Sequence, residues 1–224
     1  MIELSSNRMI VCVRLLLIFS IAIADIGCRD YSMSMRVNLL RKKLRLKIPT
    51  SYQDLTLQEM IDMKPGCPYE DSEGREIRRM ERRAVRLEGY LVKVEQLADG
   101  KTYLHLVRRG DIHLEIGLSK DFEPLRDASQ RVICEMTVPF QWNHKKWNLE
   151  GLAPLAGMVR DDLIDHIYPG GTSGGTRVRI SGYLLDDFVH CLAVGRTRAT
   201  TWEIHPVTKF EVWDEKAGKF VPFE

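Results

Sequence analysis

Two short stretches hold the side chains best suited to chemistry. In Asp111-Ile112-His113-Leu114-Glu115, strand alternation puts Asp111, His113 and Glu115 on one face and Ile112, Leu114 and Ile116 on the other. In Trp202-Glu203-Ile204-His205-Pro206 the same rule sets Glu203 and His205 opposite Trp202 and Ile204. If both stretches belong to one β structure, two imidazoles and several carboxylates converge on one patch. Imidazole and carboxylate ligands suit Zn, Mn or Fe, and a metal-activated water would then make hydrolysis accessible. The candidate metal ligands are therefore His113, His205, Glu203 and Asp111; no cofactor is expected, and a divalent ion is the one the residues allow. The plainer reading makes them polar groups on outer strand faces, with the His205 imidazole bonded to a nearby backbone carbonyl. Neither H-x-x-x-H nor H-E-x-x-H spacing occurs to favour the metal.

Other reactive patterns are weaker. Ser181 sits mid-strand without a Gly-x-Ser-x-Gly elbow, and no cysteine has a context that lowers its pKa. The glycine-rich run 169–175 has no following Lys and leads into a strand, so it reads as a connector and not as a phosphate loop. An oligonucleotide platform needs aromatics interleaved with Arg or Lys. Tyr90, Tyr103 and Tyr183 with Arg86, Arg177 and Arg179 form a modest version, while Trp142, Trp147, Trp202 and Trp213 read as core. Tyr90, Tyr183 and Arg198 are the candidate ligand or partner face.

The elements that must position these groups are mostly strands. Val85, Leu87, Gly89 and Leu91 alternate with polar residues up to Gln96, Asp99-Gly100 signals a hairpin, and Thr102–Arg108 returns as a second strand. Ile112–Leu118 and Val132–Val138 alternate likewise, and Val178, Ile180, Gly182 and Leu184 begin a fifth strand. Thr200–His205 and Val207–Trp213 form a sixth, bent at Pro206 because proline cannot donate to a ladder. Helices are few: one from the capping box Thr56-Leu57-Gln58-Glu59 to about Lys64, where Pro65-Gly66 stops it, one through Ile77, Met80 and Ala84, and one near Asn148–Ala156. The expected fold is mainly β, a small, partly open OB-like barrel over residues 84–224. The echo of Gly89-Tyr90-Leu91 in Gly182-Tyr183-Leu184 marks matching barrel corners.

Charge is uneven along the chain. Residues 1–50 hold nine Lys/Arg against three Asp/Glu, and the remaining 174 hold twenty-four against twenty-eight. The body is thus slightly acidic, which makes nucleic acid a poor partner for it. Residues 25–83 read as a basic, helical extension. Residues 1–24 match a secretory signal: Arg8 and Arg14, the uncharged run Leu15–Ala24, and Ala22-Ile23-Ala24 as cleavage site. Export to the periplasm or cell envelope follows, leaving Cys28, Cys67, Cys134 and Cys191, whose pairing stays open. A start at Met33 or Met35 would instead give a cytoplasmic protein. Membrane contact would come only through the N-terminal segment, uncleaved or lipidated at Cys28.

The run Gly195-Arg196-Thr197-Arg198-Ala199-Thr200-Thr201-Trp202-Glu203-Ile204-His205-Pro206-Val207-Thr208 resembles the closing motif of a group of uncharacterised bacterial proteins, many with export signals. That group also shows a Gly-Tyr-Leu strand, Asp-x-His, a Glu-containing strand, and a second Gly-aromatic-Leu strand ending in Asp-x-x-x-His. Here these correspond to Gly89-Tyr90-Leu91, Asp111-Ile112-His113, Cys134-Glu135-Met136-Thr137 and Gly182-Tyr183-Leu184 with Asp186 and His190; Asp187 lies one residue closer. The resemblance covers roughly residues 84–214 and implies an OB-like barrel and no activity. The resulting expectation is a non-enzymatic module that binds a protein partner or small ligand on one barrel face. A metal-dependent hydrolase is the alternative, and single-stranded nucleic-acid binding comes third.

Overall fold

The computed structural model describes residues 33–63, 71–98, 109–120 and 127–224. The signal pattern in 1–24, Cys28, Pro65-Gly66, Cys67, the Asp99-Gly100 turn, Tyr103 and the Thr102–Arg108 strand lie outside them. The chain divides into Met1–Asn38 and Leu39–Glu224, and everything below concerns the second unit.

The fold is mainly β. In chain order the elements are α1 (Met33–Lys43), β1 (Gln53–Asp54), α2 (Leu57–Asp62), α3 (Asp71–Met80), β2 (Ala84–Ala98), β3 (Arg109–Gly117), β4 (Val132–Met136), α4 (Val138–Asn143), α5 (Leu149–Leu152), β5 (Met158–Asp161), β6 (His166–Pro169), β7 (Arg177–Asp186), β8 (Trp202–Asp214) and β9 (Lys219–Pro222). Five strands close a ring in the order β2-β3-β4-β8-β7 and back to β2. All neighbours run antiparallel except β4 and β8, which are parallel and share two register pairs, Ile133 with Glu203 and Cys134 with Ile204. The long β2 serves two neighbourhoods. Its first half pairs with β7, and its second half pairs with β3 and takes the β5–β6 hairpin on its edge.

Alternation builds the core as the sequence suggests. Val85, Leu87, Leu91, Ile112, Leu114, Ile116, Cys134, Met136, Val178, Ile180, Leu184, Trp202 and Ile204 all face one buried cluster. Leu55, Leu57 and Met60, from the segment read as an extension, join it. The α2 capping box forms as expected: Glu59 N donates to Thr56 Oγ1 at 3.1 Å and Thr56 N donates to Glu59 Oε2 at 2.7 Å.

Strand β8 is where the sheet bends. From Ile204 to Lys209 it uses five steps where β7 uses three from Leu184 to Ser181, so two extra residues bulge around Pro206, whose peptide bond with His205 is cis. A Cβ on Gly182 would lie 2.2 Å from the Pro206 carbonyl oxygen and 2.6 Å from Ile204 Cγ2. At the echoed Gly89 it would lie 2.4 Å from Ile116 Cγ2. Both glycines are required by a crowding neighbour strand.

Several expectations need correction. The fourth strand ends at Met136, because Pro139 lacks a donor and fits the first turn of α4 instead. The helix near 148–156 is shorter, a four-residue α5 followed by a 3₁₀ turn that begins at Ala153-Pro154. The sixth strand is one continuous element starting at Trp202. Trp147 and Trp202 are core, but Trp213 is half-buried and Trp142 is 71% exposed on α4.

Trp202→Ala should cost about 3–5 kcal/mol, the scale for truncating a buried aromatic. Gly182→Ala should cost about 1–3 kcal/mol, since its new methyl meets backbone that cannot turn aside. Urea unfolding of both variants checks this. A Gly182→Ala protein with an unchanged midpoint would mean that the β8 bulge yields freely.

Candidate functional site

The outward faces of β3, β4 and β8 carry the polar residues, and the ring sets them side by side. His113 lies in register with Glu135, and Glu203 with Ile133, two residues earlier on β4. Glu135 binds both histidines: its Oε1 is 3.2 Å from His113 Nδ1 and its Oε2 is 2.7 Å from His205 Nδ1. His205 Nδ1 also reaches Glu203 Oε1 at 3.1 Å, and Nε2 stands 3.7 Å from Asp111 Oδ2. All four sequence candidates therefore meet, with Glu135 at their centre. Its position between inward-facing Cys134 and Met136 was the available signal, a lone acid whose alternation points it the same way as His113.

Except for half-buried His113, these groups are not solvated outer residues. His205 and Glu203 are 0% exposed and Asp111 is 1% exposed. Their cover comes from segments distant in sequence. Lys43, at the end of α1, places Nζ 2.8 Å from Asp187 Oδ2, 3.5 Å from Glu203 Oε1 and 3.9 Å from Glu135 Oε2. Arg198 donates to Glu203 Oε2 at 3.1 Å and to the Thr200 carbonyl at 2.8 Å. His190 Nδ1 lies 3.0 Å from Asp187 Oδ2. Glu115 shares the strand face but belongs to another network, with Arg131 and with Lys93 at 3.0 Å.

Burial and charge act against each other throughout. Burial alone would depress the His205 imidazole, but Glu135 and Glu203 outweigh it and push it up to about 9. Burial raises the Asp111 carboxyl to about 6 against the pull of His205. Burial would raise Glu135 as well, yet Lys43 and His205 hold it well below the usual carboxylate range. Lys43 is held well above the usual ammonium range, since Glu203, Glu135 and Asp187 overcome its desolvation.

The proposed face of Tyr90, Tyr183 and Arg198 does not come together. Tyr183 pairs with Ala84 and Tyr90 with Arg177. They stand six residues apart along β2, about 20 Å at 3.3 Å per residue. Arg45 lies over the Tyr183 ring at 4.9 Å, while Arg198 is drawn into the buried cluster by Glu203. Of the cysteines, Cys134 is free and buried in the core and Cys191 is disulfide-bonded.

Lys43→Met strands three buried carboxylates and should cost about 3–5 kcal/mol at pH 7. Burial alone would raise Asp187, but Lys43 and then His190 hold it far below its ordinary value. A depressed carboxyl stabilises the fold above its unfolded pKa of about 3.9 and loses that contribution as pH falls. The gap between wild type and Lys43→Met should therefore narrow below about pH 4. A gap that stays constant from neutral pH into acid would mean that lost packing, not lost charge, destabilises the variant. Burial pushes the Cys134 thiol up, so iodoacetamide should spare it in the folded protein and label it only after denaturation. Mass-spectrometric mapping of that peptide reads the result.

No family model, no curated protein and no solved structure matches this chain.

Proposed function

We propose that the chain is a non-catalytic, exported module on an OB-like ring, and that it binds a protein partner or small ligand on its outer surface. The observation that carries this reading is the burial of the cluster. With His205 and Glu203 fully covered, a substrate would meet the cluster only at its edge, beside His113. The OB-like assignment is supported by the ring order, the parallel pairing of its third and last strands, and the helices inserted between β4 and β7.

The outer surface offers an exposed aromatic with cations beside it: Trp142 on α4, followed by exposed Lys145 and Lys146. Arg177 and Arg179 are less available. Both bond Glu88, and they lie over Trp213 and Phe220 respectively at 4.6 and 3.9 Å. That commitment, with the acidic balance of residues 51–224, keeps nucleic acid third. Export rests on the signal pattern and fits the disulfide at Cys191, since such bonds persist in oxidising compartments. Among the described residues no helix is long and apolar enough to cross a membrane.

Two measurements on the full chain separate the three readings. Bis-(p-nitrophenyl) phosphate and p-nitrophenyl acetate, with Zn²⁺ or Mn²⁺ added, should show no saturable turnover. A saturable rate lost in His205→Gln would put the hydrolase first. Single-stranded DNA at physiological salt should bind no more tightly than the ordinary non-specific range of about 10⁻⁴–10⁻⁶ M. A tighter complex with a steep salt slope would put nucleic acid first.

A further inference from the structure

We infer that Asp111, Glu135 and His205 form a buried site for one divalent first-row cation, Zn²⁺ or Mn²⁺, which staples strands β3, β4 and β8 together. One ligand atom from each residue lies within 4.8 Å of the other two. Proximity of acids is common; the second observation is that two of the three residues each present a donor atom without a hydrogen-bond partner. Asp111 Oδ2 and His205 Nε2 are both buried without a hydrogen bond and face each other at 3.7 Å. An unmet buried polar atom costs free energy, and two that face each other point to something that joins them.

The geometry favours an ion over a direct proton bridge. At 3.7 Å the His205–Asp111 pair is too long for a hydrogen bond. Two atoms each about 2.0–2.2 Å from one tetrahedral metal stand roughly 3.3–3.6 Å apart. The imidazole is already held as a ligand's would be. Its Nδ1 points at Glu203 and Glu135, which fixes the ring's orientation and turns Nε2 toward Asp111, where a metal would take the place of a proton.

Charge agrees. With His205 and His190 neutral, four carboxylates, Asp111, Glu135, Asp187 and Glu203, face two permanent cations, Lys43 and Arg198, leaving two negative charges over. One dication cancels that surplus; so would protons on His205 and His190, which are the competing occupants. Two oxygens and one nitrogen, with the Cys134 thiol turned to the core, suit Zn²⁺ or Mn²⁺ better than a soft ion. The way in lies beside His113, whose side chain is 20% exposed where it meets Glu135. The site also straddles the β4–β8 seam, joined by only two register pairs.

The test uses the full chain purified without chelator. Elemental analysis should find about one Zn or Mn per chain, chelator should lower Tm, and added Zn²⁺ or Mn²⁺ should restore it. Asp111→Asn keeps Oδ1 as acceptor for the Val138 N–H, so it should fold, retain under about one tenth of an equivalent, and melt at a temperature that chelator does not change. Should that variant not fold, Co²⁺ titration of the metal-free wild type decides, with visible d–d absorption saturating near one equivalent. Wild type without stoichiometric metal, with no Tm response to either ion and no saturable Co²⁺ spectrum, would overturn the site and leave protons as its occupants. An adverse result there would leave the binding reading standing, since the hydrolysis assay tests that separately.

Discussion

The Glu135 carboxylate, gripped from both sides by histidines and faced by Lys43, is the interaction on which the arrangement turns. A buried carboxylate must be compensated, and no single segment of this chain supplies the compensation. It is assembled from the end of α1, from β3 and β8, and, through Glu203 and Asp187, from Arg198 and His190. Such a network is weak evidence of net stability, because desolvation offsets most of the attraction. What it does supply is a unique placement. Any shift of one segment leaves a charge uncovered, so the N-terminal cover, the ring and the turn at 188–198 are fixed with respect to one another.

Strand β8 solves a problem of parity. Trp202 and Ile204 face the core, and so does Val207, three residues after Ile204. Simple alternation forbids that, since odd spacing puts side chains on opposite faces. One extra residue between Ile204 and Val207, against Leu184 to Gly182 on β7, resets the phase, and Gly182 makes room for it. The same reset leaves His205 at the last position before the bend, aimed away from the core at Glu135. The bulge thus serves packing and the polar cluster at once.

The faces of β3 and β8 were legible in the sequence because alternation is local: Asp111, His113, Glu203 and His205 follow from a period of two. Their burial was not legible, because it depends on Lys43 and Arg198 arriving from other parts of the chain. Glu135 could be placed on a strand but not at the centre of the site, since its neighbours across the sheet are set by a ring order that periodicity does not encode. The β5–β6 hairpin and β9 are four-residue strands with little alternation, below what a pattern can separate from loop. Trp142 was misplaced for a simpler reason: large apolar residues are often buried, and the turn that exposes it is made by Pro139, three residues earlier.

The length of β2 has a kinetic side. Its first half waits for β7, with Leu87 pairing Ile180 about ninety residues later, and pairings that distant form slowly. At about 5–20 residues per second of synthesis, the strand stands roughly 5–20 s with its apolar edge open before its partner exists. Open edges invite pairing with other chains, so the stretch of synthesis between β2 and β7 is when a chain of this topology is most open to wrong pairing.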